Sequence, residues 1–159
     1  MAKTRKSWQE KLADDKDLPR VVEITGKMST RWGTGSLCIP APREVDEIMK
    51  RVPKGKLITI NQIREIVAKR HGATIGCPIT TGIFANIAAH AAEEAVAEGK
   101  KDITPYWRTL KSKGELNEKY PGGVDAQAVH LREEGHIIEL DKKGKPRRVK
   151  DFEQALVEV

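Results

Sequence analysis

A chain of 159 residues, 38% of them hydrophobic and 33% charged, fits one globular domain with modest extensions and excludes a fibrous or wholly disordered protein. No apolar run approaches the roughly 20 residues of a membrane span, and the N-terminus lacks the apolar core of a signal peptide, so we expect a cytoplasmic protein without a membrane partner. The net charge of +6 favours polyanionic partners such as DNA, although a basic solvated surface would also explain it.

Residues 1–41 predict an N-terminal extension that packs on the main domain. After a polar lead, the segment VVEITGKMSTRWGTGSLCIP is typical of short extended pieces, broken by Gly26, Gly33 and Gly35. The main domain is expected to span residues 42–136.

Three helices are predicted next. Apolar residues at helical spacing indicate a helix over 43–51, and Thr59 is a plausible N-cap for a second helix over 60–70, with Gly72 suited to the left-handed position after it. Thr80 or Thr81 can cap the third helix, which extends to Gly99. Its apolar stripe comprises Ile83, Phe84, Ile87, Ala88, Ala91, Ala92 and Ala95.

The second and third of these helices, joined by the connector ATIGCP, resemble a helix-turn-helix whose recognition helix carries Asn86. Alanine-rich helix pairs are also common core architecture, so the pair alone leaves DNA binding open.

The remaining chain predicts a functional loop and a small C-terminal extension. The loop contains adjacent Tyr106 and Trp107 and is followed by a helix over 125–134 that ends at Gly135. Residues 137–159 indicate a strand, a basic turn, a second strand and a helix from Asp151. The basic turn either extends a DNA footprint or is a solvated hairpin; it contains Lys142, Lys143, Lys145, Arg147, Arg148 and Lys150.

The cysteines and histidines show no metal-site spacing. Cys38 and Cys77 are the only cysteines, and the histidines are scattered at His71, His90, His130 and His136. Because zinc sites need closely spaced ligand pairs and cytosolic thiols stay reduced, we expect no metal, no cofactor and no disulfide.

From about Val45 to His136 the order of features resembles the DNA-binding domain of the alkylguanine-DNA alkyltransferases, the methylated-DNA-protein-cysteine methyltransferase family. The matching segments are VPKGKLITINQI, TTGIFANI, PYWR and GGVDAQAVHLREEG. The resemblance implies a mainly α fold with small β elements and a winged-helix-like helix-turn-helix.

The resemblance departs from the family at its reactive centre. Active members use a cysteine thiolate, supported by a histidine and a glutamate, to attack the alkyl group of a flipped guanine. Tyr106 stands at the cysteine position and Trp107 at the histidine position, whereas Arg108 and Glu134 match the family. A phenol with a pKa of about 10 is a poor nucleophile at neutral pH, so alkyl transfer should be lost.

This pattern is similar to the alkyltransferase-like proteins, which bind alkylated guanine without repairing it and present it to nucleotide excision repair. The resemblance implies a monomer that binds double-stranded DNA and flags the lesion for repair proteins. The implied lesion pocket comprises Pro105, Tyr106, Trp107, Arg108 and Glu134. In it, Tyr106 and Trp107 either contact the extruded base or plug a vestigial pocket as core aromatics.

The matching segments also imply a set of DNA-contacting residues. Ile60 follows Thr59 where the family has a tyrosine that rotates the nucleotide, and the position of the family's intercalating arginine falls near Ile79 or Thr80; an apolar side chain such as Ile79 could still wedge a base step. The implied contacts are Lys54, Lys56, Thr59, Asn61, Ile79, Thr80, Thr81, Ile83, Asn86, Lys111 and Lys113.

Two alternative functions stay open at this point. One is a general or regulatory helix-turn-helix protein that binds DNA without recognising lesions, which the missing tyrosine and arginine suggest. The other is an alkyl-accepting enzyme that uses Cys77, at the start of the recognition helix, or Cys38; packing explains an isolated cysteine as well.

Overall fold

A computed structural model describes residues 7–15 and 17–158, which form a mainly α-helical fold with small sheets. The helices are α1 (Trp8–Ala13), α2 (Lys27–Trp32), α3 (Pro42–Lys50), α4 (Ile60–His71), α5 (Pro78–Ala97) and α6 (Gly123–Glu133), with short 3-10 helices at Tyr106–Arg108 and Phe152–Ala155. The strands are β1 (Arg20–Glu23), β2 (Ser36–Ile39), β3 (Ile58–Thr59), β4 (Ile75–Gly76), β5 (Thr109–Leu110), β6 (Ile138–Leu140) and β7 (Pro146–Val149). The predicted fold class is confirmed.

Local signals place α4 where the sequence predicts it. The Gln62 N–H donates to Thr59 Oγ1 at 3.2 Å, and the Thr59 N–H donates to Gln62 Oε1 at 3.1 Å, which together form a capping box. Gly72 ends the helix in the left-handed region with φ 64°. The predicted helices over 43–51 and 125–134 are likewise confirmed as α3 and α6.

The predicted start of α5 is wrong. The helix begins at Pro78 with Cys77 as N-cap, because the fixed φ of proline suits the first helical turn. Thr80 and Thr81 therefore lie inside the helix rather than capping it. The predicted apolar stripe is also partly wrong, since Ile83 is 50% exposed while Ala85 and Thr81 take the buried face.

The N-terminal region contains helices where only extended pieces were expected. Strands β1 and β2 match the prediction, but Gly26 and Gly33 bound the helix α2 between them. Helix α1 forms in the polar lead, capped by Ser7, whose Oγ accepts the Glu10 N–H. The predicted C-terminal helix from Asp151 is only a short 3-10 helix.

A close contact fixes the geometry of the connector between α4 and α5. Strand β4 pairs in parallel with β2, which pairs antiparallel with β1. A Cβ at Gly76 would lie 2.6 Å from the Arg64 carbonyl oxygen, so only glycine fits against α4 here. The Arg64 Nε also donates to the Gly76 carbonyl at 2.8 Å, which ties the connector to the helix.

Two hydrophobic clusters hold the domain together. The first lies between α3, α4 and α5 and includes Tyr106 and Tyr120. The second lies beneath α6 and the antiparallel β6–β7 hairpin, and Trp107 packs against both clusters. Cys38 of β2 belongs to the first cluster, so the segment before residue 42 contributes to this core, and the predicted domain boundaries stay a prediction. Among the described residues, no helix is both long and apolar enough to cross a membrane.

The capping box predicts a measurable contribution of the Thr59 hydroxyl to stability. Thr59→Ala should lower the free energy of unfolding by about 1 kcal/mol, because the Gln62 N–H loses its acceptor. Thr59→Ser, which keeps the hydroxyl, should retain most of the stability in urea denaturation. Equal losses in both variants would show that the buried methyl group, not the cap, matters.

Candidate nucleic-acid interface

Tyr106, which the sequence predicts to stand at the reactive-cysteine position, is a core residue. Its side chain is 1% exposed and lies edge-on to Trp107 and Tyr120, with ring centroids 5.3 and 5.5 Å away. The phenol donates a hydrogen bond to Glu93 Oε1 at 2.7 Å. Burial, together with this carboxylate, raises the pKa of Tyr106 well above its ordinary value, so the phenol stays protonated.

The carboxylate of Glu134 organises the rest of the PYWR segment. It accepts hydrogen bonds from Trp107 Nε1 at 3.0 Å, from Arg108 Nη2 at 2.7 Å and from Arg108 Nε at 2.9 Å. Arg108 Nη1 also donates to the Val52 carbonyl at 2.6 Å, just beyond α3. Burial pushes the pKa of Glu134 upward, but the hydrogen bonds from Arg108 and Trp107 outweigh it and leave the pKa below its usual range.

Trp107 is held on one ring face and through its backbone. Its ring stacks on His130 with centroids 4.1 Å apart and planes 12° apart. The buried amide of Gln127 donates to the Trp107 carbonyl at 3.1 Å and accepts the Asn117 N–H at 2.7 Å. Helix α6 therefore fixes both the 3-10 helix and the loop that returns past Asn117.

These contacts close the lesion pocket that the sequence predicts. Tyr106 and Pro105 are buried, and Arg108 and Glu134 satisfy each other with side chains 13% and 7% exposed. In this conformation a base cannot stack on the Tyr106 ring without displacing core side chains. The burial of Tyr106 fits the alternative in which it packs as a core aromatic, whereas Trp107 is only partly buried, and the lesion pocket stays a prediction.

An open cavity lies instead on the exposed face of α5, and we call it the α5 cavity. Its volume is about 720 Å³. Helix α5 contributes Ile79, Gly82, Ile83, Asn86 and Ile87; the opposite wall is formed by Ile60, Lys111 and residues 117–119; and α1 adds Trp8 and Lys11.

The short parallel pairing of β3 with β5 builds the opposite wall. Ile58 pairs with Thr109 and Thr59 with Leu110, so Ile60 and Lys111 follow at neighbouring positions and both line the cavity. Residues 117–119 complete this wall, and Tyr120, which follows them, packs against Tyr106. The α5 cavity thus adjoins the filled pocket without including it.

The structure brings some of the predicted DNA-contacting residues together. Ile79, Ile83, Asn86 and Lys111 share the α5 cavity. Asn61 lies in a separate hollow beside Gly76, and Lys56 lines another near residues 153–158. Lys54 and Lys113 are exposed, and Thr80 is half-buried, none of them among the residues lining the α5 cavity.

Two predicted contacts are contradicted by burial. Thr59 is 4% exposed, and its hydroxyl accepts the Gln62 N–H as the cap of α4. Thr81 is fully buried on the core face of α5. Neither side chain is available to a nucleic acid in this fold.

Several residues of the site are absent from the predicted set of contacts. Ile60 and Lys119 line the α5 cavity, and Glu93 and His130 fix the two aromatic rings. Each acts through a contact between distant elements. Only Ile60 had a local signal, its position directly after the helix-capping Thr59.

The cysteines are packed side chains. Cys77 is 5% exposed in a cluster with Ile24 and Leu37, and burial raises the pKa of the Cys38 thiol to about 11. Among residues 7–15 and 17–158, no three His, Cys, Asp or Glu side chains converge on a point that could hold a metal ion.

Two of the solved structures that share this fold come from S. pombe. Atl1 in complex with damaged DNA containing O6-carboxymethylguanine aligns with a TM-score of 0.54 and 18% identity, over 74% of this chain and 94% of that chain. ATL in complex with DNA aligns with a TM-score of 0.53 and 19% identity, over the same shares. No protein-family model and no curated protein matches the chain. The alkyltransferase-like fold is confirmed; at these identities the likeness concerns the fold alone.

Removing the charge of Glu134 should destabilise the protein strongly. In Glu134→Gln the guanidinium of Arg108 stays buried without its counter-ion, so the free energy of unfolding at pH 7 should fall by about 3 kcal/mol. Glu139→Gln is the matched control, because it breaks the exposed pair with Arg148 at 3.0 Å and should cost less than about 1 kcal/mol. Equal losses would contradict a buried, structural ion pair.

The same variant predicts a pH dependence. The folded-state pKa of Glu134 lies below its unfolded value of about 4.3, so its stabilisation is complete above that pH and is lost as the pH falls through the folded pKa. The stability difference between wild type and Glu134→Gln should therefore be constant near neutrality and shrink below about pH 4. Denaturation curves at several pH values measure it, and a difference that persists at pH 3 would refute the assignment.

Proposed function

We propose that this chain is a non-enzymatic DNA-binding protein that recognises alkylated guanine and marks it for nucleotide excision repair. The observation that carries the proposal is the open α5 cavity beside a nucleophile position filled by a buried tyrosine. Helix α5 is the proposed recognition helix, with Ile79, Ile83 and Asn86 facing DNA.

The chemistry of the cavity supports a DNA partner. Three lysines, Lys11, Lys111 and Lys119, line it against one glutamate, Glu118, so its mouth is positively charged. Exposed apolar side chains on a DNA-facing helix can wedge between base steps, and Ile79 and Ile83 are 52% and 50% exposed. The likeness to Atl1, whose structure was solved with DNA containing O6-carboxymethylguanine, points to the same class of lesion.

The absence of alkyl transfer is part of the proposal and rests on the chemistry of two side chains. The Tyr106 phenol is buried, protonated and hydrogen-bonded to Glu93. Trp107 offers only an indole N–H donor, which is spent on Glu134 and cannot act as a base. Cys77 and Cys38 are packed in the core, so neither presents a thiolate to a substrate in this conformation.

A second candidate function follows from the burial of Tyr106. If no base enters the domain, α5 serves a general DNA-binding protein, and the α5 cavity is only the groove beside its recognition helix. This alternative predicts affinity that depends on salt without any preference for damage.

A paired titration separates the two candidates. The same duplex with and without one O6-alkylguanine is titrated at one fixed salt concentration. Lesion recognition requires tighter binding to the damaged duplex, with similar salt dependence for both, because the phosphate contacts are shared. Equal affinity would leave the general DNA-binding protein, and no affinity for either would exclude both candidates.

Substitutions on α5 test its role as the recognition helix. Ile83→Ser should weaken binding to both duplexes by about tenfold, because the side chain no longer fills the space between base steps. Val96→Ser is the matched control, since Val96 is 44% exposed near the other end of the same helix. Loss of affinity in both variants, or in neither, would remove α5 from the interface.

A further inference from the structure

We propose that Trp8 of the N-terminal helix α1 is the stacking wall for a nucleobase that enters the α5 cavity, and that Lys11 leaves the indole face for a phosphate when the base arrives. This inference rests on the proposed function, because the base comes from bound DNA. Helix α1 precedes the segment that resembles the alkyltransferases, and under this proposal it contributes a residue to the binding site.

Hydrogen bonds to Glu94 hold α1 against α5. The carboxylate of Glu94 accepts the backbone N–H of Trp8 at 3.0 Å and that of Gln9 at 3.1 Å, so it caps the first turn of α1 with a negative charge. The Gln9 side chain adds bonds to Glu94 at 3.1 Å and Glu98 at 3.0 Å. Helix α1 therefore covers the C-terminal half of α5, and Trp8 stands at the end of the cavity that the N-terminal half leaves open.

The two faces of the Trp8 ring are covered by different kinds of group. His90 stacks on the indole with centroids 4.4 Å apart and planes 21° apart, and His90 is itself fixed by a 2.8 Å contact between its Nε2 and the Lys119 carbonyl. The Lys11 ammonium lies 4.3 Å from the indole centroid. Because two groups cannot share the space above one face, His90 and Lys11 occupy opposite faces.

The Lys11 face is the one that a ligand can take. Lys11 is exposed and lines the α5 cavity together with Trp8. A cation–π contact at an exposed site is weak, whereas a nucleobase stacked on an aromatic ring gains more. The exchange of ammonium for base is therefore favourable, and the released lysine remains within the cavity mouth to meet the backbone of the same nucleotide.

The polar groups of the cavity fit a nucleotide. Asn86 lines the cavity, and its buried Oδ1 has no hydrogen-bond partner among the described residues, so a turn of this amide toward the cavity would let it accept an N–H of an occupant. Lys111 and Lys119 supply positive charge at the opposite wall. An aromatic ring with an exocyclic amino group and an attached phosphate meets all three features, and alkylated guanine is such a base.

Variants of Trp8 test the stacking wall in the full-length protein. Trp8→Leu should reduce the preference for a duplex with one O6-alkylguanine over the undamaged duplex by about tenfold, while Trp8→Phe, which keeps an aromatic face, should stay within about threefold of wild type. Gln9→Ala is the matched control, because it weakens the docking of α1 without touching the cavity. If Gln9→Ala loses as much preference as Trp8→Leu, docking and not stacking is responsible, and the proposal is overturned.

A second readout keeps the stacking wall testable by itself. With 5-fluorotryptophan at the three tryptophans, the Trp8 fluorine signal is identified by its loss in Trp8→Phe and should shift on addition of the damaged duplex. If the wild type prefers damage but this signal does not move and Trp8→Leu keeps the preference, the stacking wall fails and the proposed function stands. If the wild type shows no preference for damage, the proposed function fails. A shift of the Trp8 fluorine signal would then still support contact between Trp8 and a nucleotide, and the lack of a shift would overturn that contact as well.

Discussion

The buried carboxylate of Glu134 is the constraint on which the rest of the site depends. It lies just past α6 and receives three donors from Trp107 and Arg108, and Arg108 in turn reaches the Val52 carbonyl beyond α3. One side chain thus joins α6, the 3-10 helix and the end of α3. A buried carboxylate is costly unless its acceptors are filled, so this set of bonds selects one arrangement of the PYWR segment.

That arrangement decides where a ligand can and cannot go. Once Trp107 is fixed by Glu134 and His130, Tyr106 points into the core, where its hydroxyl donates a hydrogen bond to Glu93. The same segment runs on into β5, whose pairing with β3 sets Lys111 beside Ile60. The packing of Tyr106 in the core and the opening of the neighbouring α5 cavity are therefore two consequences of one local structure.

The sequence predicts the parts of the fold that local interactions decide. Thr59, Gln62 and Gly72 specify both ends of α4 through bonds within a few residues, and the structure agrees. Helix α1 was not predicted although Ser7 caps it locally; its docking on α5 depends on Glu94, which lies 86 residues from Trp8 in the chain. Periodicity placed Ile83 on the apolar stripe of α5 and was wrong there: the alanine-rich helix has apolar residues on several sides, so only packing determines that Ile83 is exposed.

The candidate site was predictable to the same extent. The prediction that the PYWR segment stands where active alkyltransferases carry their reactive residues depends only on residue types, and it stays a prediction. Whether Tyr106 lines a pocket or fills it depends on Glu93, Tyr120 and Trp107, which meet only in the folded chain.

The surroundings of Lys111 also depend on the fold. Lys111 lines both the α5 cavity and a groove of about 510 Å³ beside the β6–β7 hairpin, and it pairs with Glu118 at 2.9 Å. Because both partners of this pair are exposed, the pair is weak, and a phosphate can replace Glu118 at little cost. Lys11, Lys111 and Lys119, which are far apart in sequence, thus line one cavity, a grouping that net charge alone cannot reveal.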